Sequence, residues 1–176
     1  MNIWHDIAPE RVTPGDFVVC IEIESGSKVK YELDKDTGLL RLDRILYTST
    51  HYPANYGFIP RTYAHDYDPL DVLVLCTQHI YPLTLVRCYP IGVITMIDNG
   101  RNDEKIIAIP FDEPTYNHVR DISQLPEHTF EEMRHFFSVY KALENKETAV
   151  DEVEGVEAAV SIVEAAIEDY RRMFVT

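Results

Sequence analysis

The chain from Phe17 to Glu24 (Phe-Val-Val-Cys-Ile-Glu-Ile-Glu) is rich in apolar and β-branched residues, and after a Gly-Ser break the pattern resumes from Val29 to Leu33. Both segments predict strands. Asp34-Lys-Asp-Thr-Gly38 is turn chemistry leading into a further segment, Leu39 to Tyr47, so a hairpin is expected there. Val72 to Leu75 is a short apolar run, and Leu85 to Ile97 and Lys105 to Ile109 flank the polar loop Asp98 to Asp103, a second hairpin.

Beyond Pro126 the period changes. Met133, Phe136, Phe137, Tyr140 and Leu143 recur at three- and four-residue spacing, one face of a helix that should pack on the sheet. Val153, Val156, Val160, Val163, Ile167, Tyr170 and Phe174 keep a 3-4 alternation. That spacing suits a coiled-coil seam or a core-facing helix, and a seam of only about three heptads favours the core. Strands followed by two helices, without βαβ alternation, predict an α+β domain on an antiparallel sheet or barrel. The pattern does not choose the barrel. With no repeat, linker or low-complexity segment, residues 1–176 are expected to form one domain.

Composition narrows the class. With 45% apolar and 11% aromatic residues the chain belongs among ordered globular proteins. Its N-terminus has no basic start followed by an apolar stretch, and no run approaches the roughly 18 apolar residues of a membrane span. A cytoplasmic protein is expected. Cys20, Cys76 and Cys88 lack metal-type spacing, lie in apolar contexts, and read as buried thiols. The formal charge of -14 argues against nucleic acid and anionic lipid. An acidic protein can still handle an anion once divalent cations reverse the local charge.

Asp66-Tyr-Asp68-Pro-Leu-Asp71 places three carboxylates within six residues at the mouth of the Val72 strand. Oxygen-only ligands suit hard ions such as magnesium, while the same residues also suit a solvated turn; the segment alone leaves both open. A second acidic loop, Asp98 to Asp103, could meet it around shared cations, and Asn99-Gly100 would serve equally as a hairpin turn. Lys30 and Glu32 fall on one face of their strand, which by itself is an ordinary exposed face.

Lys30-Tyr-Glu32, Arg44, Tyr52-Pro-Ala-Asn-Tyr56-Gly-Phe-Ile, Asp66-x-Asp68-Pro-x-Asp71-Val-Leu-Val and Asp103-x-Lys105 occur in the order seen in family I soluble inorganic pyrophosphatases. The chain resembles that family from roughly Phe17 to Lys141, with a similar helical tail, and ordered motifs over that span are far more specific than any one of them. The resemblance implies a five-stranded OB-type β-barrel with flanking α-helices. It implies hydrolysis of pyrophosphate, bound as a metal complex, to two phosphates, using several Mg2+ per active site and no covalent intermediate. It also implies a homo-oligomer, commonly a hexamer in bacteria-like members.

By position, the resemblance makes Asp66, Asp71 and Asp103 the tight metal ligands, with Asp71 bridging to a second ion. Asp98 resembles a ligand of substrate-borne metal, and Glu22 and Glu32 carboxylates that complete the cluster. Asp68 matches the residue that accepts a proton from the attacking water, and Tyr56 its hydrogen-bonded neighbour. Lys30, Arg44, Lys105, Tyr140 and Lys141 resemble the phosphate grip, with Tyr52 lining the pocket. Cations that acidify water and neutralise phosphate oxygens make attack on an anion feasible, and fixed Lys and Arg charges stabilise the leaving phosphate.

Three positions depart from the family pattern. Tyr67 replaces a small residue, Asn99 replaces an expected Glu, and Val156 stands where many members have Trp. Tyr67 is expected to alter loop geometry or metal spacing, and Asn99 removes one outer negative charge. His65 is not expected to ligate metal, and His135 reads as a packed or interface residue. The alternative function is a catalytically silent barrel that binds metal or phosphate. No Gly-x-x-x-x-Gly-Lys or Gly-x-Gly-x-x-Gly motif supports a nucleotide enzyme.

Overall fold

A computed structural model describes residues 1–175. The chain is α+β. Its strands are β1 (Val12–Thr13), β2 (Asp16–Ile23), β3 (Val29–Leu33), β4 (Leu40–Ile45), β5 (Asn55–Ile59), β6 (Leu70–Val74), β7 (Leu85–Asp98), β8 (Arg101–Pro110) and β9 (Thr148–Gly155). The helices are α1 (Glu127–Val139) and α2 (Val156–Phe174). Among the described residues no helix is long and apolar enough to cross a membrane.

β3 and β4 form the expected hairpin as a separate two-stranded ribbon. β2 pairs antiparallel with both β5 and β7, β5 pairs with β6, and β7 pairs antiparallel with β8. β6 and β8 run parallel, with Asp71 opposite Lys105, which corrects the expectation of a purely antiparallel sheet. The long apolar runs explain why these strands are buried on both faces: from Phe17 to Ile23 every residue of β2 is buried. Alternation then sorts side chains. Val72, Val93 and Ile106 join a cluster with Ala159, Val163 and Ile167 of α2, while their neighbours Leu73, Ile94 and Ile107 join Met133, Phe136 and Phe137 of α1.

Where β5 crosses β2, a Cβ on Gly57 would lie 1.9 Å from the Cys20 carbonyl oxygen, so only glycine permits this approach. α2 starts where Asp121 reaches it. The Val156 N–H donates to Asp121 Oδ1 at 2.9 Å, and Asp121 Oδ2 also accepts from the Ser123 N–H at 2.9 Å, so one carboxylate caps the helix and braces a short 3-10 turn.

Several expectations need correction. β5 and β9 are strands that the hydrophobic pattern did not reveal, and Val153 belongs to β9, the helix starting only at Val156. Leu143 is 65% exposed because α1 has ended and a 3-10 turn, Ala142–Glu144, carries it outward. Phe174 is 41% exposed and packs through its ring on Trp4, Tyr63 and Tyr170. The expected loop from Asp98 to Asp103 shrinks to Asn99-Gly100, both at positive φ, so Asp103 is a strand residue facing Met96. Cys20 and Cys88 are buried, whereas Cys76 lies beyond the end of β6 and is only partly buried.

Candidate active site

One cavity of about 170 Å³ opens where the ribbon, the strand ends and the C-terminal end of α1 meet. Glu22 comes from the end of β2, Lys30 and Glu32 from β3, Tyr56 from β5, and Asp71 from β6. Asp98 ends β7, Asp103 and Lys105 lie on β8, and Tyr140 and Lys141 follow α1. The segment before β6 adds Asp66 and Asp68, and Tyr52 closes the inner wall. Alternation on β8 puts Asp103 and Lys105 on one side, and the parallel register sets Lys105 beside Asp71.

Among the described residues, Asp66, Asp71 and Asp103 each bring a carboxylate oxygen to within 4.8 Å of the others. Lys105 neutralises part of this charge. Its side chain is 3% exposed, and Nζ lies 3.0 Å from Asp71 Oδ2, 3.3 Å from Asp103 Oδ2 and 2.7 Å from the Tyr56 hydroxyl. Burial opposes the ammonium charge, but the Asp103 and Asp71 carboxylates outweigh it and hold the Lys105 pKa well above its usual 10.5. Lys141 Nζ lies 2.6 Å from Asp98 Oδ2, while Asp98 Oδ1 is buried with no hydrogen-bond partner.

One lysine against three carboxylates and an unpartnered buried oxygen form an all-oxygen donor set short of positive charge. Such a set fits a hard divalent cation and offers no soft ligand. The electrostatics of the cluster agree. Burial, reinforced by the Asp71 and Asp103 charges, pushes Asp66 from 3.8 up to about 6. Burial also raises Asp103 against the pull of Lys105.

Glu22 is the most desolvated of the cavity's carboxylates. It accepts the Leu33 N–H at 2.9 Å, and burial pushes its carboxyl from 4.5 up to about 8. A carboxyl that binds its proton more tightly folded than unfolded stabilises the fold while protonated, and loses that contribution as pH rises from the unfolded to the folded value. For Glu22 the window runs from 4.5 to about 8. We therefore expect the thermal midpoint of the chelator-treated protein to fall with pH across this window more steeply than that of Glu22→Gln. Parallel midpoint curves for the two proteins would refute this.

Of the residues that the sequence nominated, thirteen line the cavity: Glu22, Lys30, Glu32, Tyr52, Tyr56, Asp66, Asp68, Asp71, Asp98, Asp103, Lys105, Tyr140 and Lys141. Arg44 is not brought among them. Its guanidinium is engaged by Asp43 at 3.0 Å and Glu144 at 2.9 Å, outside the cavity lining. Tyr67 does not prevent the acidic residues from converging: its backbone takes φ +67° and its ring is 61% exposed, turned to Arg101 and Tyr63. His65 is exposed and approaches Glu104 at 3.8 Å, and His135 is exposed on α1. Sequence reasoning missed Trp4 and Lys35, which also line the cavity; both come from segments without a chemical motif.

The fold and this site define an α+β protein with a carboxylate cluster able to hold a divalent cation and lysines beside it able to meet an anion. The family model described as inorganic pyrophosphatase matches residues 19–171. Soluble inorganic pyrophosphatase 2 of Chlamydomonas reinhardtii is 50% identical over 173 residues, covering 98% of this chain and 90% of its own. Soluble inorganic pyrophosphatase PPA1 of Solanum tuberosum is 50% identical over 95% of this chain and 79% of its own. Among solved structures, the inorganic pyrophosphatase of Helicobacter pylori superposes with a TM-score of 0.87 at 43% identity, covering 90% of this chain and 95% of that one. That of Thermus thermophilus gives 0.88 at 37% identity over 97% and 99%. The chain belongs to the inorganic pyrophosphatase family.

Proposed function

We propose that the chain hydrolyses inorganic pyrophosphate to two phosphates by direct attack of water, in a site charged with several Mg2+ ions. The observation that carries this reading is the convergence of Asp66, Asp71 and Asp103 opposite Lys105 in one small cavity. At about 170 Å³ that cavity is smaller than the roughly 300–1,000 Å³ of sites for larger organic ligands, which suits a compact inorganic anion.

In this reading Asp66, Asp71 and Asp103 hold the tight ion, with Asp98, Glu22 and Glu32 completing the set. When bound, magnesium supplies positive charge against phosphate oxygens and makes water more acidic. Asp68 accepts the proton of the attacking water, and Tyr56 hydrogen-bonds within the same group. Lys30, Lys105, Tyr140 and Lys141 bind the phosphoryl oxygens, with Tyr52 behind them. Arg44 joins this grip only by exchanging its Asp43 and Glu144 partners for phosphate. The lysines are already placed by their ion pairs, so charge developing on the departing phosphate meets fixed donors.

The same proposal covers the architecture and setting. β2, β5, β6, β8 and β7 make the five-stranded OB-type barrel, a reading supported by the pairing of each with the next and of β2 with β7. Residues 1–176 act as one domain, and the chain works as a homo-oligomer of the hexameric kind. Three free thiols support a reducing, cytoplasmic setting.

Phosphate release from pyrophosphate, measured with magnesium, after chelation, and with ATP as a control substrate, tests the activity. Release that needs magnesium and strongly prefers pyrophosphate is expected. A folded protein that releases none with any divalent metal would instead be a silent phosphate-binding module.

A further inference from the structure

Lys35 lines the cavity without a part in the roles above. It lies in the turn between β3 and β4, and its ammonium pairs with Asp68 Oδ1 while sitting 5.1 Å over the ring of Trp4. Its backbone is tethered too, since Asn2 Nδ2 donates to the Lys35 carbonyl at 3.0 Å. Trp4 is 7% exposed, and its Nε1 donates to the Thr62 carbonyl at 2.9 Å. Thr62 is fully buried; its hydroxyl donates to the Ile59 carbonyl at 2.6 Å and accepts the Leu70 N–H at 2.9 Å. The indole is thus anchored to the segment that carries Asp66 and Asp68, while its face supports the cation.

Three segments distant in sequence are linked through the Lys35 ammonium, which lies over Trp4 and pairs with Asp68. Stability does not account for this, because Lys35 and Asp68 side chains are 35% and 45% exposed, and such pairs contribute little. Orientation does. The Asp68 backbone is pinned, with its N–H donating to Asp66 Oδ1 at 3.2 Å and its carbonyl accepting the Ala64 N–H at 2.8 Å. Lys35 is the one described side chain that bonds its carboxylate.

We propose that Lys35, backed by the Trp4 indole, is a positioning residue that holds the Asp68 carboxylate in one orientation within the cavity. The inference rests on reading Asp68 as the acceptor of the water proton. A misdirected acceptor slows the proton transfer without weakening substrate binding, so the effect belongs in kcat.

The test compares the parent protein with Lys35→Met, Lys35→Arg, Asp68→Asn and the Lys35→Met/Asp68→Asn pair in magnesium-supported phosphate release. Lys35→Met should lower kcat about tenfold with KM within about twofold, and Lys35→Arg should restore most of the loss. The double variant should be no slower than Asp68→Asn. A second readout needs no turnover: Trp4 is the only tryptophan, so emission reports the indole directly. Asp68→Asn should shift that emission in the parent background and not in Lys35→Met.

An unchanged kcat for Lys35→Met in an active parent overturns the proposal. So does a loss confined to KM, which would make Lys35 a substrate contact, or an emission response to Asp68→Asn that persists without Lys35. A parent that releases no phosphate would defeat the pyrophosphatase reading instead, and the emission comparison would still decide whether Lys35 couples Asp68 to Trp4. Should Lys35→Met not fold, Lys35→Gln carries the same readouts.

Discussion

Lys105→Met should destabilise the metal-free protein by about 3 kcal/mol, the lower end of the cost of stripping one partner from a buried ion pair. Lys105 is 2% exposed and is the cation between Asp71 and Asp103, whose side chains remain 23% and 14% exposed. Methionine fills a similar volume, so the loss reflects charge more than packing. Two conditions should shrink it. Saturating magnesium replaces the missing charge, and acidic solution protonates carboxylates such as Asp66, already shifted up to about 6. Urea unfolding with chelator, with magnesium, and at low pH gives all three values. Equal midpoints for parent and variant in chelator would show that Lys105 does not balance the cluster. Activity should stay low even with magnesium, because a cation assigned to the phosphate is gone.

Asp68→Asn should reduce phosphate release by about 100- to 10,000-fold, the usual contribution of a positioned proton acceptor. Asparagine keeps the size and one acceptor oxygen but cannot take a proton. Asp68 lies outside the group of three close carboxylates, so magnesium affinity measured by calorimetry should change far less than turnover. A variant that kept turnover within about twofold of the parent would place the proton acceptor elsewhere.

Much of this site was legible from residue types in order. Asp66, Asp71 and Asp103 were nominated together although Asp103 is remote in sequence, because ordered motifs carry information that no single segment does. The strands with long apolar runs and the helix that carries Met133, Phe136 and Phe137 were equally legible. β5 escaped because Asn55 and Gly57 break the apolar run, although its residues are buried. β9 escaped because Val150 and Val153 stand three residues apart among Asp and Glu, and the residues from Val153 onward were read as helix. Arg44 lies outside the cavity lining for a physical reason: Asp43 and Glu144 together hold its guanidinium, and which partners an arginine takes is a matter of distance.

What the sequence determined by itself is the chemistry available: oxygen ligands for hard cations, lysines and tyrosines for phosphate, and runs of residues that must be buried. What the tertiary structure alone decided is which groups share charge. The parallel register of β6 with β8 sets Lys105 between Asp71 and Asp103, burial shifts Glu22 to about 8, and the N-terminal Trp4 comes under Lys35 at the edge of the cavity. Hydrophobic periodicity is local along the chain, whereas electrostatic coupling depends on distances that only folding creates.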